Sequence, residues 1–455
     1  MAPRYIVSSR DGSLQWPRVP SGDAATVLNL HAQNEASQWL APEALWERQA
    51  LQLRALLAHS QETVPYYRER LAARIDLDAA LDKAAWTEIP ILTRQDLQDN
   101  ADELESDAPP AGHGRVGTKQ SSGSTGAPVR FKTSGVTTLF YYANNLRHYH
   151  WHDYDPAGRY AHISRLNATQ RELSVSGKPV PWMMGYKTGP CYYFDIARTA
   201  AEQQAWLQDI QPQYLTTYPS NLKNLLNHFT ELRSELPSLR AVTTMSEALD
   251  DETRELSANG AGIPVHDIYS AQEAGIVALQ CPAGDGYHIM AESVLVEILD
   301  DAGAPCATGE TGRVVVTPLH NFMTPLIRYA LGDFAEVGAP CGCGRGLPTV
   351  RRFLGRVRNM LLLPSGEKIW PSFGSRGLTA IAPIRQHQIV QISKTALEAR
   401  LVVARELSDG EEKALALHIT ARLPEPMSVA FVYPEAISRS ASGKFEDFVS
   451  EIDGA

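Results

Sequence analysis

Long apolar runs are missing from this chain of 455 residues. No stretch approaches the roughly 20 consecutive apolar residues that a membrane-spanning helix requires. The opening segment, MAPRYIVSSRDGS, carries charges early and contains no apolar run of signal-peptide length. We therefore expect a cytoplasmic protein without a membrane-spanning segment.

The chain contains few cysteines and has no excess of positive charge. Five cysteines in a chain of this length are too few for a disulfide scaffold. The formal net charge of −10 at pH 7 argues against a nucleic acid or an anionic membrane as the main partner. The hydrophobic content of 44% and the charged content of 21% are typical of a globular protein, and the length predicts two or more domains.

The segment SSGSTGAP, residues 121–128, combines hydroxyl side chains with glycines that let the backbone approach a ligand closely. Successive backbone N–H groups in such a turn can bind anionic oxygens. The lysine of a Walker-type loop is missing, because Ala127 and Pro128 follow the second glycine. From the segment alone, two interpretations stay open: a phosphate-binding turn of another kind, or an exposed linker.

Two other patterns suggest a binding site at first, but the surrounding sequence argues against each. Residues 112–117 fit the dinucleotide fingerprint GxGxxG, but no strand pattern precedes them, so we reject that interpretation. Histidines at 148, 150 and 152 suggest a metal site, yet only His148 and His152 share a face of the predicted helix. Packing, or lining an aromatic pocket, is the expected role of these histidines.

Hydrophobic periodicity predicts the fold class. Alternating strand-like and helical segments over residues 160–319 predict an α/β body. Strand and helix patterns in the C-terminal part predict a small α+β domain. Residues 1–40 are polar without a clear period and predict an arm that is extended in part, whereas helical spacing begins at Pro42 and breaks at Pro65. Thr93 is a predicted helix N-cap.

Four further segments follow the SSGSTGAP loop in a distinctive order. They are YSAQEAG at 269–275, LIRYALGDF at 326–334, GRVRNM at 355–360 and ASGKFEDF at 441–448. Together with the loop they resemble the adenylate-forming superfamily of acyl-CoA synthetases and adenylation domains, and most closely its phenylacetate-CoA ligase branch. That branch has TSG(S/T)TG, an aromatic-G-x-(S/T)-E segment, RYRTGD, GRxDDM and a C-terminal Gly-Lys. The resemblance covers roughly residues 45–445.

The resemblance implies an α/β fold in two parts. Residues 1–356 would form a large N-terminal adenylation core, and residues 357–455 a small mobile C-terminal α+β domain with its hinge near Arg358. It also implies ATP-dependent activation of a carboxylic acid, expected to be aromatic, to acyl-AMP with release of pyrophosphate. Coenzyme A would then accept the acyl group as a thioester.

The resemblance further implies a role for each matching residue. Glu273 would bind Mg²⁺, a hard cation that prefers carboxylate oxygen. Lys444 would bridge the substrate carboxylate and the α-phosphate during bond formation. The nucleotide contacts would be Ser121, Ser122, Gly123, Ser124, Thr125 and Gly126 for the β- and γ-phosphates, Ser246, Glu247 and Tyr269 for adenine, and Asp333 and Arg356 for the ribose.

Three departures from the family pattern bear on the second step, the transfer of the acyl group from acyl-AMP. Ala330 replaces the second arginine of RYRTGD, Gln272 replaces the hydroxyl residue before Glu273, and Arg358 replaces the common hinge aspartate. They leave open a stand-alone adenylating enzyme that passes the acyl group to a carrier protein or an amine. A non-catalytic nucleotide-binding homologue is a further alternative, against which the matching acidic residues and lysine argue.

Four residues have the side chains of a structural zinc site. Three thiols and one imidazole fit a closed tetrahedral Zn²⁺ site, and they come from Cys281, His288, Cys341 and Cys343. The C-x6-H and C-x-C spacing is not that of a standard zinc finger, so ordinary buried cysteines are the alternative. Cys191 and Cys306 are left out of the predicted site.

The aromatic segments 141–142 and 182–186, together with residues 270–275, are the predicted lining of the acid pocket. An apolar pocket with few polar groups is expected for an aryl acid. The predicted partners are a small carboxylic acid and either coenzyme A or a carrier protein. The oligomeric state stays open, with a homodimer as one option.

Overall fold

The computed structural model describes residues 5–77, 79–121, 128–231, 236, 238–284, 286–440 and 442–452. The helices are α1 (Gly22–Ser37), α2 (Pro42–Thr63), α3 (Pro65–Ala72), α4 (Lys83–Thr87), α5 (Arg94–Asp99), α6 (Gly135–Trp151), α7 (Ala168–Ser176), α8 (Ala200–Ile210), α9 (Pro219–Glu231), α10 (Asp251–Glu255), α11 (Ser375–Ile381) and α12 (Asp409–Thr420). None of these helices is both long and apolar enough to cross a membrane.

The first strands are β1 (Gly117–Gln120), β2 (Arg130–Thr133), β3 (Tyr160–Ser164), β4 (Cys191–Asp195), β5 (Tyr214–Thr217), β6 (Ala241–Met245), β7 (Val265–Ala271), β8 (Gly275–Gln280) and β9 (Tyr287–Ile289). The later strands are β10 (Val294–Leu299), β11 (Thr311–Pro318), β12 (Tyr329–Val337), β13 (Thr349–Arg356), β14 (Leu361–Leu362), β15 (Lys368–Ile369), β16 (Ile384–Ser393), β17 (Ala396–Val403), β18 (Ser428–Val432) and β19 (Phe448–Ser450).

One large sheet positions the candidate site. Its strand order among the described residues is β10-β11-β12-β13-β9-β8-β7-β6-β5-β3-β4. The pairs among β3–β7 are parallel, whereas the pairs among β7–β13 are antiparallel. Parallel strands joined by helices are characteristic of α/β proteins, so the predicted fold class is confirmed.

The N-terminal helices pack on the antiparallel half of this sheet. Leu53 and Leu57 of α2 are buried in one cluster with Val314 and Val316 of β11. Each fully buried aliphatic side chain of this kind contributes about 1.5–3 kcal/mol relative to an exposed one. The helical segment that begins at Pro42 does break at Pro65, where α3 begins, as the sequence predicts.

Two local predictions near the N-terminus have opposite outcomes. Thr93 caps α5 in a capping box with Asp96, which confirms the predicted N-cap. The extended arm predicted for residues 1–40 is wrong for α1. This helix buries Val27, His31 and Asn34, two of which are polar, so its buried face lacks the apolar period by which helices are recognised.

The C-terminal part forms a small sheet of its own in the order β18-β17-β16-β19. Leu397 and Leu401 of β17 are buried against Leu415 and Ile419 of α12 in a separate core cluster. A core that does not share its buried residues with the large sheet is expected of a separate domain. The predicted small α+β C-terminal domain is confirmed.

Candidate active site

Two neighbouring parallel strands bring polar residues to the same edge of the large sheet. β6 ends at Met245 and is followed by Ser246 and Glu247, while β7 ends at Ala271 and is followed closely by Glu273. This edge of an α/β sheet is where ligands usually bind. Ser246 has a φ of +77°, a conformation that costs a non-glycine residue about 1–3 kcal/mol. Backbone strain at this edge indicates a functional position.

A carboxylate on β12 forms the centre of a second group. Asp333 and Arg356 are direct cross-strand partners, and Nε of Arg356 lies 3.2 Å from Oδ1 of Asp333. The Tyr269 hydroxyl donates to Oδ2 of Asp333 at 2.6 Å. Phe353 stacks on Tyr269 with ring centroids 3.6 Å apart, so an adenine could stack only on the opposite face of Tyr269. The structure therefore brings together three of the predicted nucleotide residues.

Glu273 carries a partly buried carboxylate next to this group. Burial raises the pKa of Glu273, while the positive charges of Arg356 and Arg94 act in the opposite direction. Burial lowers the pKa of Lys119, and the negative charge of the nearby Glu273 opposes that shift. A carboxylate whose charged form is disfavoured by burial gains from a bound cation, so Glu273 fits the predicted role of a Mg²⁺ ligand.

Lys444 approaches these residues from the C-terminal domain. The backbone N–H of Phe445 donates to Oε1 of Glu247 at 2.7 Å, and the N–H of Ser220 donates to Oε2 at 2.9 Å. Burial lowers the pKa of Lys444, and the charge of Arg356 adds to that effect. The carboxylates that oppose it are those of Asp333, Glu247 and Glu273. Both oxygens of Glu247 thus bind backbone N–H groups, one of them from the Lys444 segment.

Further contacts hold the C-terminal domain against the core. Nζ of Lys223 lies 3.2 Å from a carboxylate oxygen of Asp250 and 3.5 Å from one of Asp447. The backbone N–H of Ser375 donates to Oε2 of Glu252 at 2.9 Å. Lys223 is buried, and a buried ammonium requires such compensating charges. The contacts hold the C-terminal domain in the orientation that brings Lys444 near the predicted nucleotide residues.

The predicted hinge residue contacts the Lys444 segment directly. Arg358 lies in a short 3₁₀ helix, Val357–Asn359, that follows β13. Its guanidinium forms an ion pair with Glu446. This contact joins the segment after the large sheet to the turn that carries Lys444.

Most of the predicted phosphate-binding loop lies outside the described residues. The loop residues not described are Ser122, Gly123, Ser124, Thr125 and Gly126. Ser121 is described and buried. Its hydroxyl oxygen accepts hydrogen bonds from the backbone N–H of Val129 at 3.0 Å and from Nη2 of Arg94 at 3.3 Å. The role of the loop stays a prediction.

A small cavity of about 40 Å³ lies beside Glu273, between α6 and the beginning of β8. Its apolar lining includes Phe140, Tyr141, Ile276 and Pro318. Its polar lining includes Asn144, Ser293, His320 and Asn321. The cavity adjoins the predicted Mg²⁺ ligand. Its volume is well below the roughly 300–1,000 Å³ of ordinary ligand pockets, so its walls must move apart before it can admit a substrate.

The predicted pocket segments differ in their position relative to this cavity. Tyr141 and the segment 272–275 belong to its lining. Trp182 is not among the described residues that line it. Its ring packs instead against Tyr149 and Tyr160, with centroid distances of 5.0 Å and 4.7 Å. The sequence identified the aromatic character of segment 182–186 but not its place in a neighbouring core cluster.

The histidines at 148, 150 and 152, in α6 and at its C-cap, have packing partners. His148 is buried, and its Nε2 lies 3.0 Å from the hydroxyl of Thr243. His152 stacks on His266 with centroids 3.8 Å apart. Nδ1 of His150 lies 2.6 Å from Nε2 of His31. These contacts agree with the packing role expected for the histidines.

The cysteine and histidine residues predicted to bind zinc do come together. The potential ligand atoms of Cys281, His288, Cys341 and Cys343 all lie within 4.8 Å of one another. Sγ of Cys281 is 3.6 Å from Sγ of Cys341, and Sγ of Cys343 is 3.3 Å from Nε2 of His288. Four such donors in one cluster have the composition of a structural Zn²⁺ site.

Three residues of the site carry no recognisable signal in the sequence. Arg94 follows the predicted N-cap and has the appearance of an ordinary residue of a first helical turn. Phe353 belongs to a strand, where aromatic residues are common, and Lys223 belongs to an amphipathic helix. Each contributes through contacts with residues distant in the sequence, which a single sequence does not reveal.

Comparison in sequence finds a phenylacetate-coenzyme A ligase from Pseudomonas putida. The two are 26% identical over 363 residues, which cover 72% of this chain and 74% of the relative. No family model matches the chain.

Solved structures of acyl-CoA ligases share the fold. 2-Hydroxyisobutyryl-CoA ligase in the postadenylation state in complex with R3-HIB-AMP has a TM-score of 0.70 at 16% identity, over 89% of each chain. The same ligase in the thioesterification state has a TM-score of 0.58 at 18% identity, also over 89% of each chain. Anthranilate CoA ligase AuaEII in complex with anthranoyl-AMP has a TM-score of 0.53 at 17% identity, over 72% of this chain and 65% of that one. The protein is thus a homologue of phenylacetate-coenzyme A ligase with the fold of the adenylate-forming acyl-CoA ligases, as its motifs indicate.

Proposed function

We propose that the protein activates a carboxylic acid with ATP to form acyl-AMP and pyrophosphate, and then transfers the acyl group to coenzyme A. The observation that carries this proposal is the convergence of four charged residues from separate elements. Lys444 comes from the C-terminal domain, Glu273 follows β7, and the cross-strand pair of Asp333 and Arg356 comes from β12 and β13. The cavity in which we place the acid adjoins Glu273.

The chemistry of the first step explains why these charges are needed. A carboxylate oxygen attacks the α-phosphorus of ATP, a new P–O bond forms, and the bond to the pyrophosphate oxygen breaks. Negative charge develops on the transferring phosphoryl oxygens, so positioning and electrostatic stabilisation account for most of the catalysis. Lys444 is the group that would stabilise this charge, and Asp333 and Tyr269 would orient the nucleoside. A Mg²⁺ ion held by Glu273 would supply further charge neutralisation.

The second step requires a thiol to attack the carbonyl carbon of acyl-AMP and release AMP. We propose coenzyme A as this thiol, because the similar proteins named above are coenzyme A ligases. Incubation with ATP, a panel of aryl acids and coenzyme A tests it, with mass spectrometry of the products. We expect an acyl-CoA thioester together with AMP. Accumulation of acyl-AMP without a thioester would contradict the coenzyme A step and leave the activation step in place.

We also propose the predicted domain boundary after Arg356 and the hinge at Arg358. The support is that β13, a strand of the large sheet, ends at Arg356, while the residues from Leu361 onward contribute to the separate C-terminal core. Rotation of the small domain about this point would separate Arg358 from Glu446 and remove Lys444 from the nucleotide residues. Such a rigid-body rotation is a common way to switch between two half-reactions.

A structural zinc ion is a further proposal, supported by the cluster of Cys281, His288, Cys341 and Cys343. The backbone carbonyl of Leu347 lies 3.3 Å from Nδ1 of His288. A hydrogen bond from Nδ1 leaves Nε2 free to bind a metal, which is the usual arrangement for a ligating histidine. Four protein ligands leave no open position, so a structural rather than a catalytic role is expected.

Purified protein is expected to contain about one zinc ion per chain, because a closed site of four protein ligands binds a single ion. Cys343→Ser should reduce the zinc content towards zero and lower the thermal unfolding temperature, because binding of a structural metal contributes to folding. Cys306→Ser is the matched control and should retain the metal. Elemental analysis and a thermal melt provide the measurements. A zinc content near zero in the unaltered protein would remove this proposal.

A further inference from the structure

The cavity beside Glu273 has one wall that is more polar than a pocket for a plain aryl acid requires. Phe140, Tyr141 and Ile276 provide apolar surface that a flat ring would contact once the walls of this cavity of about 40 Å³ move apart. His320 and Ser293 belong to the same lining. The polar pair therefore indicates that the ring itself carries a polar group.

Backbone pairing holds His320 and Ser293 next to each other. Nε2 of His320 lies 2.9 Å from the carbonyl oxygen of Glu292, and the backbone N–H of Leu319 donates to the carbonyl oxygen of Ser293 at 3.0 Å. The His320 ring also stacks on Phe140, with centroids 3.7 Å apart and an interplanar angle of 7°. These contacts fix the orientation of the imidazole.

The hydrogen-bond partner of His320 determines its tautomer. A carbonyl oxygen only accepts, so Nε2 carries the hydrogen and Nδ1 has a lone pair. Burial lowers the pKa of His320 to about 4, so the ring is neutral at pH 7. Among the described residues, no group donates to Nδ1. His320, a residue of the cavity lining, thus keeps one hydrogen-bond acceptor.

Ser293 offers the complementary donor. A chain of amides determines its role: Nδ2 of Asn34 donates to Oδ1 of Asn144 at 3.3 Å, and Nδ2 of Asn144 donates to Oγ of Ser293 at 3.0 Å. Oγ of Ser293 is therefore an acceptor in this chain and keeps its own hydrogen. No group in the described part of the protein accepts that hydrogen, and Ser293 is only 8% exposed.

We propose that the activated acid is an aromatic carboxylic acid with a hydroxyl group on its ring, and that His320 and Ser293 recognise this hydroxyl. The inference rests on the proposed function, because it names the substrate class of the same site. A phenolic hydroxyl donates one hydrogen to Nδ1 of His320 and accepts one from Ser293. An amino group on the ring fits less well, because its lone pair is delocalised and accepts weakly.

The cost of unpaired groups explains why an acid without the hydroxyl is a poor substrate. Such an acid would cover Nδ1 of His320 and the Ser293 hydroxyl without pairing either of them. Sites built to bind a substrate hydroxyl reject analogues that lack it far more strongly than apolar pockets reject a change in size. The site therefore disfavours an acid with an unsubstituted ring, because binding it removes water from two polar groups without replacing their hydrogen bonds.

Acid-dependent ATP–pyrophosphate exchange on the full-length protein tests the inference with matched pairs of acids. The pairs are benzoate against each hydroxybenzoate isomer, and phenylacetate against each hydroxyphenylacetate isomer, with aminobenzoates as a further group. We expect one hydroxylated isomer to exceed its unsubstituted partner in kcat/KM by about 100-fold or more. His320→Phe, which keeps an aromatic ring to stack on Phe140, and Ser293→Ala should each reduce that ratio by about 10-fold. Ser176→Ala, on the exposed end of α7, is the control and should leave the ratio unchanged.

The outcomes separate this inference from the proposed function. Exchange that is equal or faster with unsubstituted acids would overturn the hydroxyl inference and leave acid activation intact. A preference for aminobenzoates would overturn the choice of a hydroxyl group. A ratio that neither variant changes would overturn the assignment of His320 and Ser293. No exchange with any acid would overturn the proposed function, and this inference with it.

Discussion

Lys444→Ala is expected to lower the rate of acyl-AMP formation by about 10²–10³-fold, the usual cost of removing one pre-positioned donor from a transition state. The reason is the position of the Lys444 ammonium. It lies close enough to Arg356, Asp333 and Glu273 for their charges to change its pKa. The N–H of the next residue, Phe445, is bound to Glu247. The backbone that carries Lys444 is therefore held in place before the reaction begins.

The measurement for Lys444→Ala is single-turnover formation of acyl-AMP at saturating ATP and acid. Lys394→Ala is the matched control, because Lys394 is an exposed lysine of the same domain and should retain the rate of the unaltered protein. Circular dichroism and a thermal melt establish that both variants are folded. A folded Lys444→Ala variant with an undiminished rate would show that another group stabilises the phosphoryl charge.

Asp333→Ala is expected to lower kcat/KM for ATP by about 10²–10⁴-fold. A carboxylate has about four lone-pair sites, and Tyr269 and Arg356 use two of them in this structure. The two others can accept the 2′- and 3′-hydroxyl hydrogens of the ribose. Hydrogen bonds to a charged group contribute about 1.5–3 kcal/mol each, so the loss of both gives the expected range.

Deoxygenated nucleotides make the Asp333 prediction specific. The unaltered protein should use 2′-deoxy-ATP and 3′-deoxy-ATP much less well than ATP, whereas Asp333→Ala should use the three nucleotides nearly equally. Asp301→Ala is the control, because the Asp301 side chain is fully exposed in a turn. Continued strong discrimination between ATP and 3′-deoxy-ATP by Asp333→Ala would contradict the assignment of Asp333 to the ribose.

Local chemistry explains what the sequence predicted well. Thr93 has a side chain that can cap a helix, and Asp96 stands three residues later, so the capping box is visible in the sequence. Pro65 cannot continue a helix but can begin one, and α3 does begin there. The donor types of the cysteine cluster were likewise identifiable, because few roles other than metal binding require several thiols and an imidazole close together.

The features that the sequence did not predict depend on contacts between distant positions. α1 was missed because two of its three buried residues, His31 and Asn34, are polar. The stacking of Phe353 on Tyr269 depends on the register between distant strands. The polar wall of the cavity depends on His320 and Ser293 meeting where the paired strands β10 and β11 meet their flanking loops. In a sequence, each alone is an ordinary polar residue. Motifs therefore indicate the reaction, whereas tertiary contacts determine its substrate.

The central claim is that the carboxylate of an acid attacks the α-phosphorus of ATP. Isotope transfer tests it most directly: an acid that supports exchange is labelled with ¹⁸O in its carboxylate, and the products with ATP and coenzyme A are analysed by mass spectrometry. The account predicts AMP that carries a single ¹⁸O atom, because the oxygen that bridges carbon and phosphorus stays with AMP when the thiol attacks the carbonyl carbon. Unlabelled AMP, or label in inorganic phosphate accompanied by ADP, would contradict it.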